Sequence, residues 1–206
     1  MVLLKNDGIL PLKKEKLKTV AVIGPNADSR EILKGNYNGT ATEQYTILEG
    51  LRQELGDQVR IFYSEGCHLY RENVEALAEG DDRISEAVSM ARRSDVVFLC
   101  LGLDARLEGE EGDANNSYAG ADKKDLEFPD SQKHLMEAVC AVGKPVIFLI
   151  STGSAMNLSY AGEKGNAILQ TWYPGQMGGI AAANLLFGKT VPSGKLPVTF
   201  YAPTQK

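Results

Sequence analysis

Five carboxylates crowd the stretch from Asp104 to Asp113: Asp104, Glu108, Glu110, Glu111 and Asp113, interleaved with Arg106, Gly109 and Gly112. They follow Val96-Val97-Phe98-Leu99-Cys100-Leu101-Gly102, a continuous apolar run of the kind that forms a strand buried on both faces. No core tolerates that density of charge, so the segment is expected near solvent at the strand's C-terminal end. In open α/β sheets that edge is where ligands bind. If the chain does chemistry, it is expected there. The plainer reading, a solvated acidic loop, is the usual meaning of a charge run.

The remaining reactive side chains offer less. Cys67, Cys100 and Cys140 are odd in number and fit no zinc spacing; Cys100 and Cys140 fall at apolar positions and are expected to be buried thiols. His68 and His134 form no spaced ligand pair, so no metal site is expected. Ser151-Thr152-Gly153-Ser154 follows an apolar run, but without a Gly-x-Ser-x-Gly elbow it reads as turn chemistry. A net charge of −5 and a pI near 5.2, with no overriding basic cluster, argue against a nucleic-acid surface. No apolar run is long enough to span a membrane. Met1 stands just before a strand-like start without a signal-peptide layout, as in a piece of something longer. A periplasmic or secreted location is favoured if a signal lies upstream, a cytoplasmic one otherwise.

At 206 residues the chain suits one domain, residues 1–206. Apolar runs at Thr19–Gly24, Val59–Tyr63, Val96–Gly102, Pro145–Ile150, Ala167–Trp172 and Leu196–Tyr201 predict strands, the last on an edge because of Pro197. Helical periodicity covers 46–55, 82–93 (Asp82 as a cap), a stretch capped by Asp130 or Ser131 and ended by Gly143, and 178–187. Alternating strands and helices give an α/β fold: a mostly parallel sheet with helices on both faces and an edge strand free to run antiparallel. The segment from the acidic run to Phe128-Pro129 has no periodic element and is long for a loop, which favours function. Tyr37, in the turn-rich Gly35-Asn36-Tyr37-Asn38-Gly39, either stacks on a ligand or closes its own loop.

Seven segments form an ordered set: Val2-Leu3-Leu4-Lys5-Asn6 with Leu10-Pro11-Leu12, Val20–Pro25, Gly35-Asn36-Tyr37 and Leu107-Glu108-Gly109-Glu110-Glu111. Asp125-Leu126 with Gln132, Trp172-Tyr173-Pro174-Gly175-Gln176 and Pro192–Thr199 complete it. Taken in this order, they resemble the C-terminal α/β sandwich domain of family 3 glycoside hydrolases, a group that includes β-glucosidases and β-xylosidases. The resemblance implies a retaining exo-β-glycosidase of glucosides or xylosides, whose upstream barrel domain in the same polypeptide holds an aspartate nucleophile. This domain would supply the general acid/base glutamate, Glu108, with Glu110 as the alternate. Tyr37 and Arg106 are implied substrate contacts, and no cofactor is called for. Many relatives carry Asp-Arg shortly after the glutamate; here Asp113-Ala114 stands instead.

Such an enzyme needs two carboxyl groups about 5–5.5 Å apart, one the nucleophile and one the proton donor. The neighbouring acids could keep a donor protonated by repulsion, and Arg106 would oppose them. In the chain alone the loop is expected to be solvated and turnover to be negligible. Two other readings stand beside this one. Gly24-Pro25-Asn26 after a strand could open a nucleotide- or flavin-binding unit, although Gly-x-Gly-x-x-Gly is missing. Tyr37, Tyr118, Trp172 and Tyr173 could line a non-catalytic carbohydrate-binding face.

Overall fold

The structure, a computed structural model, describes residues 1–72, 82–109 and 123–201. Tyr118, Glu110, Glu111 and Asp113 lie outside the described residues. Six strands form one sheet: β1 (Val2–Asn6), β2 (Thr19–Ile23), β3 (Arg60–Ser64), β4 (Val96–Gly102), β5 (Val146–Ser151) and β6 (Ala167–Gln170). Their order is β1-β6-β5-β4-β2-β3, all neighbours parallel except the antiparallel pair β1–β6.

Helices α1 (Ile47–Leu55) and α5 (Gly178–Leu186) cover one face; α2 (Asp82–Arg92), α3 (Asp130–Cys140) and α4 (Ser159–Lys164) cover the other. The alternation inside β4 shows why. Val96, Phe98 and Cys100 face α1 and α5, whereas Val97, Leu99 and Leu101 face α2 and α3. Every residue of β4 and β5 is buried, as their unbroken apolar runs predict. Phe98 and Phe148 are fully buried on opposite faces, each worth about 1.5–3 kcal/mol of apolar transfer.

Four expectations need correction. Leu196–Tyr201 is not a strand: β1 already fills the edge beside β6, and the segment from Lys195 to Tyr201 is largely exposed. α3 begins at Asp130 without a side-chain cap, because Asp130 pairs with Lys133 and the Ser131 hydroxyl donates to the His68 carbonyl. Cys140 is half-buried rather than fully enclosed, although burial still pushes its thiol up to about 11. The strand ending in Trp172 stops at Gln170, since the backbone turns left-handed at Trp172 (φ 58°). Helix α4 carries Gly162 among its six residues and has no clear periodic signal. Among the described residues no helix is long and apolar enough to cross a membrane.

Candidate active site

β2 pairs with β3 on one side and β4 on the other, so the connections change direction between β2 and β4. The loops after β2, β4, β5 and β6 meet at this C-terminal edge. β4 is gripped where it ends: the Gln132 side chain accepts from the Gly102 N–H (2.9 Å) and donates to the Gly102 carbonyl (2.6 Å). The Leu103 N–H continues the pairing by donating to the Ser151 carbonyl (2.8 Å).

Asp104 then builds a turn. Its Oδ1 accepts from the Arg106 and Leu107 backbone N–H groups (3.0 and 3.2 Å), and its Oδ2 takes two bonds from the Arg106 guanidinium. The side chain of Asp104 is 1% exposed, contrary to the expectation that every carboxylate of this run sits near solvent. A buried carboxylate is tolerated when all its lone pairs have donors, and here they do. The same turn buries Leu107 and brings the Glu108 N–H onto the Asp104 carbonyl (3.1 Å).

The Glu108 side chain is directed by this turn onto the loop after β5. Its Oε2 accepts from the Gly153 N–H (2.6 Å) and from the Tyr173 hydroxyl; its Oε1 accepts from the Ser154 hydroxyl. Lys123 Nζ lies 3.9 Å from Oε1 and donates to the Ala155 carbonyl (2.7 Å). Glu108 is only 11% exposed, so the expected solvated glutamate is instead enclosed by its own domain. Burial lowers the Lys123 ammonium despite the nearby carboxylates. Burial first, and the Glu108 carboxylate second, push the Tyr173 phenol up, so it remains a hydrogen-bond donor at any physiological pH.

The enclosing residues are themselves fixed. Thr152 Oγ1 donates to the Ser154 carbonyl (2.7 Å) and accepts from the buried Gln170 amide (2.9 Å), while Ser151 and Thr171 hydroxyls meet at 2.8 Å. Trp172 holds the left-handed backbone just before Tyr173, an arrangement that costs about 1–3 kcal/mol and clusters at functional sites. Its ring meets Phe200 edge to face at 5.8 Å. A Cβ on Gly153 would lie 2.9 Å from the Tyr173 ring and 3.1 Å from Glu108 Oε2, so glycine is what lets ring and carboxylate share the turn.

Of the residues expected from sequence, Glu108 lies at the centre of this site and Arg106 two residues before it, bound to Asp104. Tyr37 stands on the loop after β2 at φ 57° and is 91% exposed. A Cβ on the neighbouring Gly35 would come 3.6 Å from the Tyr173 ring, which places that loop beside the site. Gly153, Ser154 and Lys123 went unread as site residues. Their signal was weak: Ser-Thr-Gly-Ser is ordinary turn chemistry, and Tyr173 suggested only stacking. In the Gly24-Pro25-Asn26 turn, the Asn26 amide donates to the Leu103 carbonyl (3.2 Å) and so braces the β4 loop. Asn26 Oδ1 and Gln170 Oε1 are the two buried side-chain oxygens without a partner among the described residues.

The family model described as the glycosyl hydrolase family 3 C-terminal domain matches residues 1–206. The chain belongs to this family. The family 3 domain is 36% identical to a β-xylosidase of Formosa agariphila over 97% of the chain, and 35% identical to a periplasmic β-glucosidase of Salmonella typhimurium over 97%. It spans 26% and 27% of the length of those two relatives. Among solved structures, a family 3 exo-β-xylosidase in complex with a xylobiose aziridine activity-based probe matches at TM-score 0.83 and 32% identity, over 98% of this chain and 24% of that one. A β-glucosidase from Erythrobacter marinus matches at 0.81 and 34%, over 96% of this chain and 28% of the other. In each case the family 3 domain corresponds to a minor part of a much longer chain.

Proposed function

We propose that this domain supplies the general acid/base of a retaining exo-β-glycosidase acting on xylosides or glucosides. The observation that carries the reading is a glutamate, Glu108, fixed at the C-terminal sheet edge of a family 3 domain by donors from two other loops. The nucleophilic carboxylate and most sugar contacts come from elsewhere in the polypeptide, in a barrel domain. Glu108 protonates the leaving oxygen as the first carboxylate attacks the anomeric carbon, then deprotonates the water that releases the sugar. Tyr37 offers an exposed ring for a sugar face, and Arg106 a guanidinium whose side chain is 69% exposed. The 206 residues form one structural unit of that enzyme, and by themselves turn over no glycoside.

The test uses the complete polypeptide. Glu108→Ala should lower the rate on aryl β-glycosides with poor leaving groups by about 10²–10⁴-fold, the usual worth of acid/base catalysis. Activated leaving groups should still form the glycosyl-enzyme, and azide should speed its breakdown because azide needs no base. A second reading draws on one observation: both oxygens of Glu108 are already engaged by this domain. In it Glu108 secures the loop and Glu110 is the donor. Equal activity of Glu108→Ala on all leaving groups, with Glu110→Ala showing the azide pattern, would select it.

A further inference from the structure

Two features of the Glu108 enclosure go beyond holding a loop in place. The first is an asymmetry between its oxygens. Oε2 has two donors, and one of them, the Gly153 N–H, can only donate. Oε1 faces the Ser154 hydroxyl, which can donate or accept, and the Lys123 ammonium at 3.9 Å. The second is that one short stretch receives the chain on both sides of residues 110–122. Gly153 and Ser154 hold Glu108, and Lys123 reaches Ala155 O (2.7 Å) and Met156 Sδ (3.2 Å).

We propose that Ser154 and Tyr173 are positioning residues for proton transfer: Tyr173 with the Gly153 N–H fixes Oε2 as a permanent acceptor, and Ser154 serves Oε1, the oxygen that carries the transferable proton. The inference rests on Glu108 being the acid/base. In the first half-reaction the Oε1–H bond breaks and its proton passes to the glycosidic oxygen, which leaves with the electron pair of the C–O bond. The nucleophile's carboxylate forms the new bond to carbon. In the second half a water proton returns to Oε1, the water oxygen bonds to carbon, and the nucleophile leaves as carboxylate. Through the cycle Oε2 keeps the same two donors. The Ser154 hydroxyl donates to Oε1 in the ionised form and rotates away from the proton in the protonated one, which leaves the Oε1–H bond free for the glycosidic oxygen. A carboxyl so held keeps one oxygen directed at the leaving group instead of sampling both.

The experiment takes the complete polypeptide and measures kcat and KM on aryl β-xylosides and β-glucosides whose leaving groups run from good to poor. Variants are Tyr173→Phe, Ser154→Ala, Ser154→Thr and, as reference, Glu108→Gln. Tyr173→Phe and Ser154→Ala should each lower kcat/KM about tenfold or more on poor leaving groups, as expected for a lost bond to a charged acceptor. They should cost less than about twofold on activated ones, where little proton transfer is needed. Ser154→Thr, which keeps the hydroxyl, should restore the poor-leaving-group rate. Equal losses across all leaving groups, in variants whose thermal melts match the wild type, would overturn the proposal. If Tyr173→Phe does not fold, the Ser154→Ala and Ser154→Thr pair decides alone. Glu108→Gln separates the two levels: no leaving-group selectivity there sinks the proposed function, whereas selectivity in Glu108→Gln but not in Ser154→Ala sinks only this inference.

Discussion

The two ends of the sheet are built to different rules. At the N-terminal edge an open groove of about 790 Å³ runs along the starts of β2 and β3, lined by Lys18, Arg52 and residues 56–61. Lys18, Arg52, Asp57 and Arg60 are all exposed there. At the C-terminal edge four loops converge, one aspartate is buried, a glutamate has three donors, and Trp172 holds a left-handed backbone. The groove offers volume, and the C-terminal edge offers converging polar groups. Chemistry needs aimed donors and acceptors more than empty space, so the groove is the weaker candidate.

Equivalent substitutions at the two ends should separate these rules. Gly24 at the C-terminal edge has φ +120°, and a Cβ there would sit 2.0 Å from the Cys100 carbonyl oxygen. Gly24→Ala should cost roughly 4 kcal/mol or more, read as a collapsed urea midpoint or loss of folded protein. Gly56 at the opposite edge also has positive φ (+55°), but a Cβ there meets nothing within 4 Å. Gly56→Ala should cost only the backbone strain, about 1–3 kcal/mol. Comparable losses in the two variants would refute the contrast.

Two aspartates make a finer comparison, since each accepts from two backbone N–H groups. Asp104→Ala removes the side-chain acceptor of the Arg106 N–H and of the Arg106 guanidinium at a buried position, while the Leu107 N–H keeps the Asp104 backbone carbonyl (3.0 Å), and should cost roughly 2–3 kcal/mol in urea unfolding. Asp95 is exposed and accepts from the Lys18 and Thr19 N–H groups (2.8 and 3.0 Å). Water can replace it, so Asp95→Ala should cost about 0.5–1 kcal/mol. The smallest effect is its pH dependence. The Thr19 N–H and then the Lys18 N–H hold the Asp95 carboxyl below its ordinary value, so its contribution is present above about pH 4 and fades as pH falls through the lower folded value. The stability gap between wild type and Asp95→Ala should therefore narrow on acidification, and a gap that widened would contradict the assignment.

The sheet was legible because β2, β4 and β5 are apolar on both faces, a pattern that only a doubly covered parallel sheet explains. α1 was legible from the helical spacing of Ile47, Leu48, Leu51 and Leu55; the structure adds a capping box in which Thr46 Oγ1 accepts from the Glu49 N–H and Glu49 accepts from the Thr46 N–H. The segment from Leu196 to Tyr201 looked like a strand because local composition does not say that β1, nearly the whole chain away, has taken the edge. The site was half legible. Glu108 stands out as a carboxylate after a buried strand, but its partners come from β5 and β6 loops, far along the chain. No local periodicity records that Gly153, Ser154 and Tyr173 meet at one carboxylate. Asp104 misled for the same reason: sequence shows its charge, whereas only the folded turn shows the donors that make its burial tolerable.

Glu108 and Lys123 are both received by one short stretch, Gly153–Met156, which ties two positions to a single support. A displacement of that stretch carries both side chains with it. The 3.9 Å between the Glu108 carboxylate and the Lys123 ammonium is therefore set by the end of β5 and the turn after it, rather than by the residues nearest either group in the chain.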